Sequence, residues 1–194
     1  MDIIENYKNY LNKKLCMPLE DADLFLSGFD LVNYKKGDYL LKQGDKNNIV
    51  KIILSGSARG FVIIDGNEFT TNFYFENDHA YDYVNYLNKH SSGMYIKALE
   101  NITNLEMSFE ATDFLSQEII GYYKMSFYLF KENFIKVEKE RKNHILKSPK
   151  ERYLDLVKNH QNIISKVPQY QLASFIGISP EHLSRLRREI AHPK

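Results

Sequence analysis

Hydrophobic positions along the chain change their period twice. At the start, Ile3, Ile4, Tyr7, Tyr10 and Leu11 recur at helical spacing and predict a helix. Met17-Pro18 stops it, and a short second helix is expected over 20–27. From Phe29 to about Ser108 the apolar runs shorten and glycines punctuate them. Strands are expected at 39–41, 50–54, 59–64, 69–75, 95–98 and 102–107, with Asp65-Gly66-Asn67 as a hairpin turn. Many short strands with frequent turns predict an antiparallel β-sandwich or barrel.

From Thr112 the period becomes helical again. Asp113 is the expected cap of a long helix over 113–146. Ile120, Tyr123, Phe127, Phe130, Phe134 and Val137 are spaced 3, 4, 3, 4, 3, as in an a/d seam. Leu115, Ile119, Tyr122 and Leu129 form a second stripe. Two apolar faces need two covers: the β-region for the second stripe, and the same helix of a second copy for the seam. Burial of both faces within one monomer is the alternative. Lys147-Ser148-Pro149 ends the helix, because proline disfavours helical geometry in the residue before it. The chain therefore divides into 1–147 and 148–194. In the second part Pro149 starts a helix with Tyr153, Leu154, Leu156 and Val157 on its apolar face, and Val167-Pro168 breaks it.

The C-terminus carries a compact motif. Gln169 to Ile176 reads as a helix, Gly177-Ile178-Ser179 as a turn, and Pro180 to Ile190 as a second helix. Ala173 permits close helix crossing, Gly177 a positive φ, Ser179 a cap, and Pro180 a first turn that needs no N–H. Leu172, Ile176, Ile178, Leu183 and Leu186 supply a small core. The register is that of a helix-turn-helix. Glu181, His182 and Arg185 then lie where base edges are reached, Arg185 toward guanine and Glu181 toward cytosine N4. Ser179, Ser184 and Arg188, with Pro180 between, are placed for phosphates, as is Arg187. For Glu181, stabilisation of the helix N-terminus is an equal alternative.

Charge follows the same division. Residues 1–135 carry 13 Lys/Arg against 19 Asp/Glu, net −6, whereas 136–194 carry 13 against 6, net +7. A basic end on an acidic body suits contact with a polyanion through that end. Cys16 is the only cysteine, which excludes an internal disulfide and a cysteine-held metal or iron–sulfur cluster. The N-terminus lacks a signal-peptide pattern and no apolar run reaches the roughly 18 residues of a membrane span, so a cytoplasmic protein with no membrane partner is expected. His79 and His90 stand alone, with no facial triad, and no enzyme activity or cofactor is expected.

The layout resembles the Crp/Fnr family of bacterial regulators across nearly the whole chain. The residues that carry the resemblance are Tyr34-Lys35-Lys36-Gly37-Asp38-Tyr39-Leu40-Leu41-Lys42-Gln43-Gly44-Asp45, Ile52 to Ala58, and Gln171-Leu172-Ala173 through Ser179-Pro180-Glu181-His182-Leu183-Ser184-Arg185. The resemblance implies an α+β fold. A jelly-roll-like antiparallel β-roll of the cyclic-nucleotide-binding type, with flanking helices, leads into a long dimerisation helix and a helix-turn-helix. It implies a homodimeric transcription regulator of double-stranded DNA, with a small-molecule effector and RNA polymerase as candidate further partners.

Two departures matter. The family's Gly-Glu-Leu segment, whose Glu holds ribose, aligns with Tyr81-Asp82-Tyr83, and its Arg-Ser pair for the cyclic phosphate aligns with Ser92-Gly93. Nothing at Ser92 replaces an arginine's charge and paired donors, so tight cyclic AMP binding is not expected. Tyr74, Tyr81, Tyr83 and Tyr95 are expected to fill that pocket or shape it for a flatter, less charged ligand. The candidate effector site is thus Tyr74, Tyr81, Asp82, Tyr83, Ser92 and Gly93. The sequence also ends at Ala191-His192-Pro193-Lys194, without the family's β-hairpin wing. Phosphate contacts are then expected to rely on Lys142, Lys147, Lys150 and Arg152. The alternative function is a small-molecule sensor or interaction module with a degenerate DNA-binding end.

Overall fold

A computed structural model of the chain describes residues 2–118 and 122–192. Asp2 caps α1 (Ile3–Leu15) by accepting from the N–H of Ile4, and Cys16 ends it in the left-handed region at φ 53°. Helix α2 (Leu19–Leu26) follows. Strands β1 (Asp30–Tyr34), β2 (Tyr39–Leu41), β3 (Ile49–Ser55), β4 (Ala58–Ile64) and β5 (Asn67–Tyr74) come next, then helix α3 (Tyr83–Leu87), β6 (Tyr95–Ala98) and β7 (Ile102–Ser108). They form two antiparallel-type layers ordered β1-β7-β3 and β2-β6-β4-β5. The expected hairpin turn is present: Asp65 and Gly66 both have positive φ, 50° and 77°, the two-residue turn that matches strand twist.

Alternation along β3 and β7 sends residues to two places. Ile52, Leu54, Leu105 and Met107 pack with Leu11, Phe25 and Leu115 of the helices. Ile53 and Ile102 turn the other way, into a core with Leu41, Ala58, Tyr74 and Ile96 inside the roll. Lys51 and Glu106 face each other across the register on that inner side, with Nζ and Oε1 2.8 Å apart. The Tyr34 hydroxyl (2.5 Å) and Asn104 Nδ2 (3.1 Å) donate to the same oxygen. A buried pair of this kind adds little net stability but is costly to break on one side.

The long helical stretch differs from expectation at its start. Helix α4 (Phe109–Glu118) begins four residues before Asp113, because Ser108 at the end of β7 accepts from the N–H of Ala111 and takes the capping role. Helix α5 (Tyr122–Leu146) carries the rest of the seam. Ile119 and Ile120 lie outside the described residues, as does the side chain of Tyr123.

Beyond α5, Ser148 and Glu151 form a reciprocal capping box for α6 (Pro149–Asn159). The chain leaves helical geometry at His160 and resumes as α7 (Gln161–Lys166), so two helices replace the single one expected. The last pair is α8 (Gln169–Ile176) and α9 (Pro180–Ala191). Contacts divide the chain into two compact units. One comprises Met1–Gly60 and Phe73–Glu132; the other comprises Phe61–Asn72 and Asn133–Lys194. The tip of the β4–β5 hairpin thus groups with the C-terminal helices, and the N–H of Thr70 donates to the Ser174 hydroxyl of α8 at 2.9 Å. No helix among the described residues is long and apolar enough to cross a membrane.

Candidate nucleic-acid interface and effector pocket

The α8–α9 corner is built from local rules. Leu172, Ala173 and Ile176 of α8 and Leu183 and Leu186 of α9 are buried, whereas Ile178 is only half-buried. Gly177 sits at φ 79°, and the N–H of Ile178 reaches back to the Ala173 carbonyl at 3.0 Å. This six-residue closure needs a left-handed residue that glycine adopts without strain. Ser179 accepts from the N–H of His182 at 3.2 Å, and Pro180 occupies the first turn of α9.

Opposite the buried leucines, α9 presents a polar arc. Glu181, Arg185 and Arg188, at i, i+4 and i+7, are exposed, and Ser184 and His182 are half-exposed. Ser179 and Pro180 are exposed at its start. The seven residues expected at this interface are therefore together on one side and one end of a short helix. The carboxylate of Glu181 lies below its ordinary range because it accepts from its own backbone N–H and from the Ser179 hydroxyl. A carboxylate in this first turn also stabilises the helix N-terminus.

The basic residues before the corner separate into different roles. Arg152 donates through Nε and Nη2 to the Ile176 carbonyl, at 3.0 and 2.7 Å. Its Nη1 reaches the carbonyls of His144 at 3.1 Å and Lys147 at 2.6 Å. The guanidinium therefore joins carbonyls at and just beyond the end of α5 to the last carbonyl of α8. It is a clamp and not the phosphate ligand expected. Lys147 pairs with Asp155. Lys142 and Lys150 remain exposed. Beside the clamp, His144 is held below its usual pKa, first by burial and then by the charge of Arg152.

On α5, Phe127, Phe130, Phe134 and Val137 are 61%, 44%, 56% and 49% exposed. A row of three phenylalanines at this exposure along one helix is an apolar stripe of the kind that marks an interaction surface.

The six residues expected at an effector site do not share one cavity. Tyr74 is buried in the core inside the roll. Asp82 caps α3, and its Oδ2 accepts from the N–H of Gly93 at 2.9 Å and from Asn85 Nδ2 at 2.8 Å, with the buried Ser92 hydroxyl 3.4 Å away. Tyr81 and Tyr83 turn elsewhere and line a cavity of about 180 Å3 with Tyr86, Phe25, Tyr122 and Phe130. Sequence reasoning missed Phe25, Tyr86 and Tyr122 because they come from separate helices. Among the described residues, no three His, Cys, Asp or Glu come together to hold a metal ion.

No family model matches the chain, and no curated protein sequence does. Solved structures match nearly all of it. The c-di-GMP responsive global regulator CLP of Xanthomonas campestris superposes with a TM-score of 0.71 at 12% identity, over 90% of this chain and 92% of that one. A transcriptional regulator of the Crp/Fnr family from Eubacterium rectale gives 0.69 at 17%, over 94% and 88%. FixK2 of Bradyrhizobium japonicum gives 0.65 at 12%, over 84% of each chain. The chain has the α+β fold of the Crp/Fnr regulators, with a cyclic-nucleotide-binding-type roll.

Proposed function

We propose that this chain, built on the Crp/Fnr fold, is a transcription regulator that binds DNA as a homodimer without cyclic AMP. Residues 1–147 would serve as sensor and dimerisation region, and 148–194 as the DNA-binding region. One observation carries the reading: α9 buries Leu183 and Leu186 against α8 while exposing Glu181, Arg185 and Arg188 on the opposite side. A helix held in this way by a helix-turn-helix enters the major groove by its N-terminal half. Arg185 has the reach and the planar paired donors for guanine O6 and N7. Ser179, Ser184 and Arg188 flank it for phosphates, and the basic charge of 136–194 supplies the non-specific attraction. The exposed stripe on α5 supports pairing with a second copy, which would set two half-sites about 34 Å apart.

Binding-site selection followed by titration in salt tests the DNA reading. Arg185→Ala is expected to cost about 1–3 kcal/mol and to relax specificity at one position. Arg188→Ala is expected to weaken all sequences alike and lower the salt slope by about 1. Unchanged operator preference in Arg185→Ala would remove that residue from base reading, and no selected site at all would sink the regulator.

Independence from cyclic AMP is supported by Asp82. Its carboxylate already takes the N–H of Gly93 and the side-chain amide of Asn85. A cyclic phosphate approaching those donors meets a negative charge, and no arginine stands at Ser92 to offset it. Titration calorimetry with cyclic AMP should show no saturable heat; micromolar or tighter affinity would refute this part.

A further inference from the structure

The cavity of about 180 Å3 lies between the outer face of β3 and β7, represented by Val50, Ile52 and Met107, and the helices. Its walls are mostly rings. Tyr81 stacks on Tyr83 (5.2 Å, 22°) and on His79 (6.1 Å, 27°), and meets Tyr86 at 5.0 Å. Phe130 closes on Tyr83 at 6.0 Å, and Tyr122 lies 6.4 Å from Phe25. In size it exceeds the apolar cavities of about 150 Å3 that hold one benzene ring in other proteins. It is far too small for a nucleotide.

The lining also sets the polarity of an occupant. Among the described residues that form the cavity there is no Lys, Arg, Asp or Glu, and His79 is the ionisable nitrogen base. Burial raises the pKa of Tyr81 well above that of an ordinary tyrosine, raises Tyr83 as well, and pushes Tyr86 up to about 12. All three phenols therefore stay neutral at physiological pH. An anion entering here would lose its water and find only the His79 imidazole able to carry a counter-charge, whereas a neutral ring gains stacking partners and nearby hydroxyls, including that of Thr112.

We propose that this cavity binds a small, neutral, single-ring aromatic molecule bearing one hydroxyl or N–H group, and that such a molecule is the effector of the chain. The second half rests on the regulator reading above. Tyr122 and Phe130 both belong to α5, so an occupant touches the helix that carries the exposed stripe.

Phenol is the probe, with benzoate as its charged counterpart, titrated into the full chain labelled at methionine methyls. Met107 lines the cavity, whereas Met94 packs inside the roll beside Gly60 and reports that space instead. Met107→Leu, a conservative swap, assigns the signal. The expected result is a saturable shift at Met107 with a Kd of about 0.1–1 mM for phenol, and none at Met94. Benzoate should bind at least about tenfold more weakly. Thr112→Phe, which fills the cavity, should abolish the shift. Should that variant not fold, cross-relaxation between phenol ring protons and the Met107 methyl of the unaltered chain decides the matter alone. No saturable shift at Met107, a shift at Met94 instead, or equal binding of benzoate overturns the proposal. Saturation at Met107 in a chain that selects no DNA leaves the cavity standing and removes the regulator reading. DNA selection without saturation does the reverse.

Discussion

Leu183→Ala is expected to unfold the helix-turn-helix while leaving the β-roll folded. Leu183 is fully buried in α9, and Leu172 and Ile176 are likewise buried in α8. Removing a buried leucine side chain to alanine costs about 2–5 kcal/mol, part from lost transfer and part from the cavity left behind. Small helical units rarely hold more than about 3–5 kcal/mol in reserve, so the loss is comparable with the whole. Hydrogen exchange resolved along the chain should show protection lost in α8 and α9 and retained in β3 and β7, with DNA binding abolished. Tyr170→Ala, at a residue 53% exposed, is the matched control and should change little. Retained protection in α8 in the Leu183 variant would mean that the corner is held by contacts other than its leucines.

The second large effect is expected at α5. Phe127→Glu combined with Phe134→Glu should convert a dimer into a monomer. In a two-fold interface each residue occurs twice, so the pair of substitutions removes four rings. Full burial of one such ring is worth about 1.5–3 kcal/mol, which makes the loss at least about a thousandfold in dimer affinity even if burial is only partial. The introduced charges add a desolvation cost in the same direction. Sedimentation equilibrium reads the mass, and a paired site against a half-site reads the consequence for DNA. A dimer that survives both substitutions would place the subunit contact on another surface.

The parts legible in the sequence were those fixed by nearest neighbours. Gly177, Ser179 and Pro180 each occupy a backbone position that few other residues tolerate, and the leucine spacing follows from the helix itself. The same holds for the Asp65-Gly66 turn. Features set by distant partners were hidden. Lys51 meets Glu106 because β3 pairs with β7 in one register, and nothing local announces it. Helix α3 was hidden within a region of strands, since its five residues depend on a cap from Asp82 that also holds Gly93. The start of α4 moved because Ser108 ends a strand and can cap at once. The six candidate effector residues are divided among a core, a cap and a cavity, because they come from different elements. Tyr74 ends β5 and lies inside the roll, whereas Tyr81 follows a turn and Tyr83 opens α3, and both line the cavity beside the helices.

Arg152 has a mechanical consequence. Because one rigid, planar group grips the end of α5 and the end of α8 together, the joint at Ser148-Pro149 is braced and does not act as a free swivel. If α9 reads DNA as proposed, a rotation of the end of α5 would be carried by Arg152 to the turn at Gly177 that precedes α9. A lysine in its place could hold one carbonyl at a time, and the lever would turn loose on its axle.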